Sequence, residues 1–327
     1  MERIMGFNRN NFIRIREEYE KKHLVAEGAA DARRKEIWEK YPRIAEIDRK
    51  MAGTGLDVFR AAIDGKPIGD IRRENEALAA ERTRLLAIAG YPADYTDPKY
   101  DCPICHDSGY VGYRMCACMR RRLVEAGYES SGVGNLMKTQ SFDNFRLDYY
   151  RSVKGAYDLM KFNFETLKTY AENFSVGASD QKPSPSLTLI GGTGLGKTHL
   201  STAVAKTVID HGYDVVYVSA IDLFAEFDDD RFRSRTTETD IDRYFDCDLL
   251  ILDDLGTEVQ TKLTVSNLYR LMNERINRLL PTIISTNLDP IKLKETYGDR
   301  IASRLCGEFR PLIFSGTDVR MLKIGQN

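Results

Sequence analysis

Residues 191–198 read Gly191-Gly192-Thr193-Gly194-Leu195-Gly196-Lys197-Thr198, between an apolar run at 187–190 and a stretch of helical periodicity at 199–211. No other feature of the chain narrows its fold so far. The spacing G-x-x-x-x-G-K-[ST] works only when a strand delivers it and a helix receives it. Its glycines wrap the backbone around an anion, and the helix N-terminus favours the negative charge there. Lys197 is placed to neutralise the β and γ phosphates, and Thr198 to offer a hydroxyl to a magnesium ion. The expected ligands are ATP or ADP with Mg2+.

Further short apolar runs follow at 215–218, 249–252 and 282–285, separated by helical patterns such as 265–280. Alternation of this kind implies a parallel sheet with helices on both faces, a three-layer α/β domain beginning near residue 141. The run at 249–252 ends in Asp253-Asp254, 55 residues beyond Thr198. A phosphate-binding loop needs a carboxylate at the end of a neighbouring buried strand to hold magnesium, and Asp253 is the natural ligand. Asp254 is then poised to orient or deprotonate the attacking water. The run at 282–285 leads to Asn287, whose amide stands where a parallel strand meets the ligand edge of its sheet.

At 327 residues the chain is long enough for two domains, and 42% apolar residues supply a core. No apolar run reaches the ~18 residues of a membrane span, and the start lacks the apolar stretch of an export signal, so a cytoplasmic location is expected. A net charge of −1 requires any nucleic-acid contact to come from a local basic patch. Residues 8–90 are charge-rich with apolar positions at helical intervals (Ile37, Tyr41, Ile44, Ile47, Met51), which predicts short amphipathic helices. Breaks are expected at Pro42, at Gly53-Thr54-Gly55, at Gly65-Lys66-Pro67 and at Gly90-Tyr91-Pro92.

Four of the six cysteines fall together, as Cys102-Pro-Ile-Cys105, ten residues, then Cys116-Ala-Cys118. Four thiolates at this spacing reach one tetrahedral Zn2+, with Gly109 and Gly112 turning the hairpin between them. His106 is a substitute ligand. Four sulfurs leave no open coordination position, so the role is structural. Tyr110, Tyr113, Arg114 and the run Arg120-Arg121-Arg122 suit either stacking on single-stranded DNA or docking of a protein partner. The domain division read from these features is a helical region at 1–95, a zinc ribbon at 96–135, connecting helices at 136–186 and an ATPase core at 187–327.

Taken in order, the motifs resemble those of the AAA+ ATPases, and among them the helicase loaders of the DnaC and DnaI type, a DnaC/IstB-like family. The resemblance rests on the loop through His199 and on Cys247-Asp-Leu-Leu-Ile-Leu-Asp-Asp-Leu-Gly-Thr-Glu258. It also rests on Ile283-Ile-Ser-Thr-Asn-Leu288, on Tyr297-Gly-Asp-Arg-Ile-Ala-Ser-Arg-Leu305 and on Thr317-Asp-Val-Arg320. It counts His199 with the nucleotide-binding residues and implies that Asn287 is sensor 1, Arg304 the arginine finger acting in trans, and Arg320 sensor 2. Arg300, one helical turn before Arg304, is the alternative finger. Two departures stand out. Asp254 replaces the glutamate of most AAA+ proteins, which predicts slow hydrolysis. Only 40 residues follow Asn287, too few for a full helical lid.

The resemblance implies a loader that grips a DnaB-type hexameric replicative helicase through residues 1 to about 135. The ATPase domain would contact single-stranded DNA and self-associate on ATP, with residues 224–245 (Arg231, Arg233, Arg235, Arg243) as one place for the DNA. An ATPase helper of a transposase, of the IstB type, shares nearly the same motifs. A small-molecule P-loop kinase and a module that holds ATP without turnover are the readings from other classes.

Overall fold

The computed structural model describes residues 7–63, 69–134, 136–177, 182–232 and 241–324. Contacts divide the chain into Arg14–Met119 on one side and Met1–Ile13 with Arg120–Asn327 on the other.

Helix α1 (Arg9–Lys40) ends where Pro42 disfavours a helical conformation for the residue before it, and Pro42 opens α2 (Pro42–Ile63). α3 (Gly69–Ile88) follows. The expected stop at Gly90 is present, with the residue at φ 81° and the Tyr91 amide donating back to Leu86 O at 2.9 Å. α1 spans 32 residues, longer than the short helices expected, and α2 runs through Gly53-Thr54-Gly55 without a break. Two interior glycines cost about 1 kcal/mol each. Packing of α2 against α3, with Ile44, Ile47, Leu78 and Leu86 buried, outweighs that local preference. The expected break at 65–67 lies outside the described residues. A two-stranded hairpin, β1 (Tyr110–Val111) and β2 (Arg114–Met115), turns at Gly112 with φ 58°.

The larger unit adds α4 (Ala117–Ser130), whose length from Arg120 onward belongs to it, then α5 (Leu136–Thr139) and α6 (Ala156–Glu172). From there strands and helices alternate: β3 (Leu187–Ile190), α7 (Lys197–Asp210), β4 (Val215–Ser219), α8 (Ala220–Phe232) and α9 (Asp242–Asp246). They continue as β5 (Leu249–Leu255), α10 (Lys262–Asn277), β6 (Thr282–Thr286), α11 (Pro290–Gly307), β7 (Arg310–Ile313) and α12 (Val319–Ile324). The five strands form one parallel sheet in the order β4-β5-β6-β3-β7.

Alternation along the strands decides which face each residue serves. Leu249, Ile251 and Ile283 pack with α6 and α7 on one face. Leu250, Leu252 and Ile284 pack with α8, α10 and α11 on the other. Strand β7 was not foreseen, because Arg310-Pro311 opens it. Proline lacks an amide hydrogen and is tolerated here at the sheet edge, where β7 pairs with β3 alone. Gly298, at φ 81°, kinks α11 just before Arg300. Among the described residues after β7 the chain forms the short helix α12.

Candidate functional site: the nucleotide site and the four cysteines

The loop from Gly191 to Gly196 leaves β3 and enters α7 at Lys197. Its apex leaves no room for a side chain: a Cβ on Gly194 would stand 1.8 Å from Asp318 Oδ1, and the residue has φ 70°. Lys197 is only 4% exposed. Its Nζ donates to Gly191 O and Gly192 O, both at 2.7 Å, and to Asn287 Oδ1 at 2.6 Å. Burial pulls its pKa down, while Asp254 and Asp253 push it back up. Asn287 reaches the lysine because the Gly191 amide donates to Thr286 O at 3.2 Å, which ties the loop to the end of β6.

Asp253 is buried on the α7 face of the sheet. Thr198 Oγ1 donates to its Oδ2 at 3.0 Å and Tyr217 OH at 2.7 Å, while Ser285 Oγ donates to its Oδ1. Donors from two neighbouring strands and one helix thus converge on this carboxylate of β5. Asp254 follows at φ 55°, where the pairing of β5 with β6 shifts register. Its pKa is raised by burial and by Asp253, against the opposing pull of Lys197 and Arg320. The structure therefore gathers Lys197, Thr198, Asp253, Asp254, Asn287 and Arg320 around one end of the sheet. Tyr217 and Ser285 were not anticipated, since each lies inside a strand whose residues read as core from sequence.

Asp318 rests against Gly194, accepts the Arg320 amide at 2.8 Å, and is followed by Val319, whose amide donates to Gly194 O at 3.0 Å. This brings the start of α12 onto the loop and explains how Arg320 comes near it. His199 bonds Ser141 O at 2.9 Å and meets the Phe145 ring edge-on. Phe145, Tyr149, Asn144, His199 and Val319 line a small cleft beside Gly196. Arg304 lies over the ring of Tyr269 at 5.2 Å and 3.5 Å from Glu308, while Arg300 is exposed. Of the arginines considered for DNA, Arg243 pairs with Glu226 at 2.8 Å. Arg233, Arg235 and the side chain of Arg231 lie outside the described residues.

In the smaller unit the sulfurs of Cys102, Cys105, Cys116 and Cys118 all lie within 4.8 Å of one another. Cys102 and Cys116 are 3.9 Å apart and Cys105 and Cys118 3.5 Å. A disulfide needs about 2.05 Å. A tetrahedral zinc with sulfurs at about 2.3 Å spaces them about 3.8 Å apart, so the geometry fits a four-sulfur metal site. Amides of Cys105 and Ile104 point at the Cys102 sulfur and hold its pKa down, to about 7. Buried Asp107 shapes the turn by accepting the amides of Cys102 at 2.8 Å and Asp101 at 2.9 Å. The His106 ring stacks on Tyr100 with centroids 4.8 Å apart and is not among the four converging groups. Tyr113 at the hairpin tip is fully exposed. Among the described residues no helix is long and apolar enough to cross a membrane.

Residues 179–305 match the family of IstB-like ATP binding proteins. The phage-like element PBSX protein XkdC of Bacillus subtilis (strain 168) is 27% identical over 249 residues, covering 71% of this chain and 89% of that protein. The replicative helicase loader DnaC of Buchnera aphidicola subsp. Acyrthosiphon pisum (strain APS) is 25% identical over 178 residues, 54% of this chain and 66% of that protein. A crystal structure of DnaI, at 21% identity, covers 56% of this chain and 92% of its own with a TM-score of 0.45. Through its segment 179–305 the chain is thus similar to the IstB-like ATP binding proteins, and its relatives include proteins named as replicative helicase loaders.

Proposed function

We propose that this ATPase loads a DnaB-type hexameric replicative helicase onto single-stranded DNA and that ATP is its switch. The observation that carries the reading is the joining, in one chain, of a nucleotide site of the IstB/DnaC kind to a separate helical unit, Arg14–Met119, built around four converging thiols. The similarity to proteins named as helicase loaders supports it. Residues 1 to about 135 grip the helicase, the four cysteines hold a structural Zn2+, and the ATPase part contacts the DNA and associates with further copies. The place of work is the cytoplasm.

Within the nucleotide site, the loop amides and Lys197 hold the phosphates, and Thr198 with Asp253 would hold Mg2+. That ion, when bound, neutralises charge on the phosphoryl oxygens. Lys197 then exchanges its bond to Asn287 for phosphate, which frees the asparagine amide to meet the γ phosphate or the attacking water. Asp254 orients that water, and its short side chain suits a slow switch. Arg320 serves its own site, whereas Arg304 on α11, engaged with Tyr269 of α10 and with Glu308, serves a neighbour's. Phe145 and Tyr149 offer the aromatic faces for the base.

A pull-down from the native host with the full chain tests the reading. A hexameric helicase retained in ATP and released on hydrolysis is the expected result. Capture of a transposase instead would favour the second reading, an IstB-like helper ATPase, which the family match at 179–305 keeps open.

A further inference from the structure

Consecutive residues of a regular strand point to opposite faces, yet Asp253 and Asp254 both serve one site. The register of β5 against β6 shows how. Leu252 faces Ile284 and Leu255 faces Thr286, so three steps on β5 match two on β6. The extra residue is a β-bulge, and Asp254 occupies it with φ 55°, a left-handed conformation that non-glycine residues rarely adopt. A bulged residue loses its ladder partner, and its amide must find another acceptor. The Asp254 amide finds Ser285 Oγ at 2.9 Å, and the same hydroxyl gives its one hydrogen to Asp253 Oδ1. Ser285 is 0% exposed, so water is not at hand to replace it.

We infer that Ser285 is a positioning residue for ATP hydrolysis: its hydroxyl pins the bulge that turns Asp254 to the same site as Asp253. The inference rests on the reading of Asp254 as the group that orients the attacking water. Tyr217 provides an internal contrast. It too donates to Asp253, but at the other oxygen, 2.7 Å away, and has no bond to Asp254. With alanine at 285 the Asp254 amide is left without an acceptor, and the strand gains by relaxing toward regular pairing, which swings the carboxylate away.

The test uses the full chain with steady-state ATPase kinetics, a nucleotide-binding titration with and without Mg2+, and hydrogen exchange of the β5 segment. Ser285→Ala should lower kcat on the order of a hundredfold, the scale of an ångström's misplacement, with ATP affinity within about threefold of the parent. Exchange of the Asp254 amide should quicken. Ser285→Ala combined with Asp254→Asn should be no slower than Asp254→Asn alone, because both remove one function. Ser285→Thr, which keeps the hydroxyl, should recover most of the kcat lost with alanine. Losses that multiply in the double variant, or an unchanged kcat in Ser285→Ala, would overturn the inference. An unchanged kcat in Asp254→Asn would instead overturn the reading of Asp254 on which it rests.

Discussion

Around Asp253 each carboxylate oxygen is met by donors from the chain itself, Thr198 and Tyr217 on one side and Ser285 on the other. Lys197, equally buried, has two carbonyls and the Asn287 amide oxygen to answer its charge. The four sulfurs at 102–118 are built differently. They converge on one another, with backbone amides behind Cys102 and the Tyr19 hydroxyl on Cys118. Thiolates packed at 3.5 to 3.9 Å repel unless a cation sits among them. The contrast separates a site whose charged groups are already answered by the chain from a cluster of sulfurs that, on the proposed zinc reading, a bound metal would help to hold together.

Removing the metal tests that contrast most severely, since a structural zinc contributes on the order of 10 kcal/mol to a small domain. Trp38 is the one tryptophan of the chain and lies in the smaller unit, its indole donating to Asp48 at 2.7 Å, so its emission reports on that unit. A strong chelator should shift Trp38 emission to the red and open residues 14–119 to protease, while nucleotide affinity stays within about threefold. Emission that ignores the chelator, or loss of zinc together with loss of ATP binding, would break the comparison. Elemental analysis should find one zinc per chain.

Next in size is the finger. Arg304→Ala should lower kcat by on the order of 10³, the usual worth of a trans-acting arginine, and mixing it with parent chains should poison activity beyond simple dilution. Dilution alone would mean that the nucleotide site is complete within one chain. Lys197→Ala should weaken ATP binding by on the order of a hundredfold, two charge-assisted bonds' worth, and leave the melting transition nearly in place. A collapse of the fold would show that the lysine supports the loop in the way proposed for zinc at the hairpin.

The last effect is read in stability alone and concerns a carboxylate with no ligand to serve. Asp214 is held by Asn8 at 3.2 Å and lies near Asp248, and burial raises its pKa from 3.8 to about 6. The folded protein therefore binds a proton that the unfolded chain releases, and stability falls as pH rises from about 4 through about 6. Asp214→Asn should raise stability at pH 8 by up to ~3 kcal/mol, and the gain should shrink toward pH 5 in denaturant titrations. A gain independent of pH would place the effect elsewhere than in the buried charge.

Much of the site could be read before any coordinates. The loop 191–198 and the cysteine spacing are local patterns, since covalent neighbours alone decide whether such groups can curl around an anion or a metal. The layers followed from apolar runs alternating with helical periodicity. Other features depend on partners distant in sequence. Pro311 reads as a strand breaker until the edge of a sheet is found for it, and Gly53 and Gly55 read as a stop until α3 is seen to pack on α2.

The sequence by itself determined which groups could bind: Lys197, Thr198, Asp253, Asn287 and the four cysteines, each marked by its spacing. It assigned the attacking water to Asp254 but not the backbone geometry that turns this residue toward the site. That this aspartate faces the same site as its neighbour is a property of register between β5 and β6, fixed by a bulge and by the Ser285 hydroxyl 31 residues away. Register is settled when strands pair, and pairing is settled by the whole sheet, so tertiary structure alone could decide it.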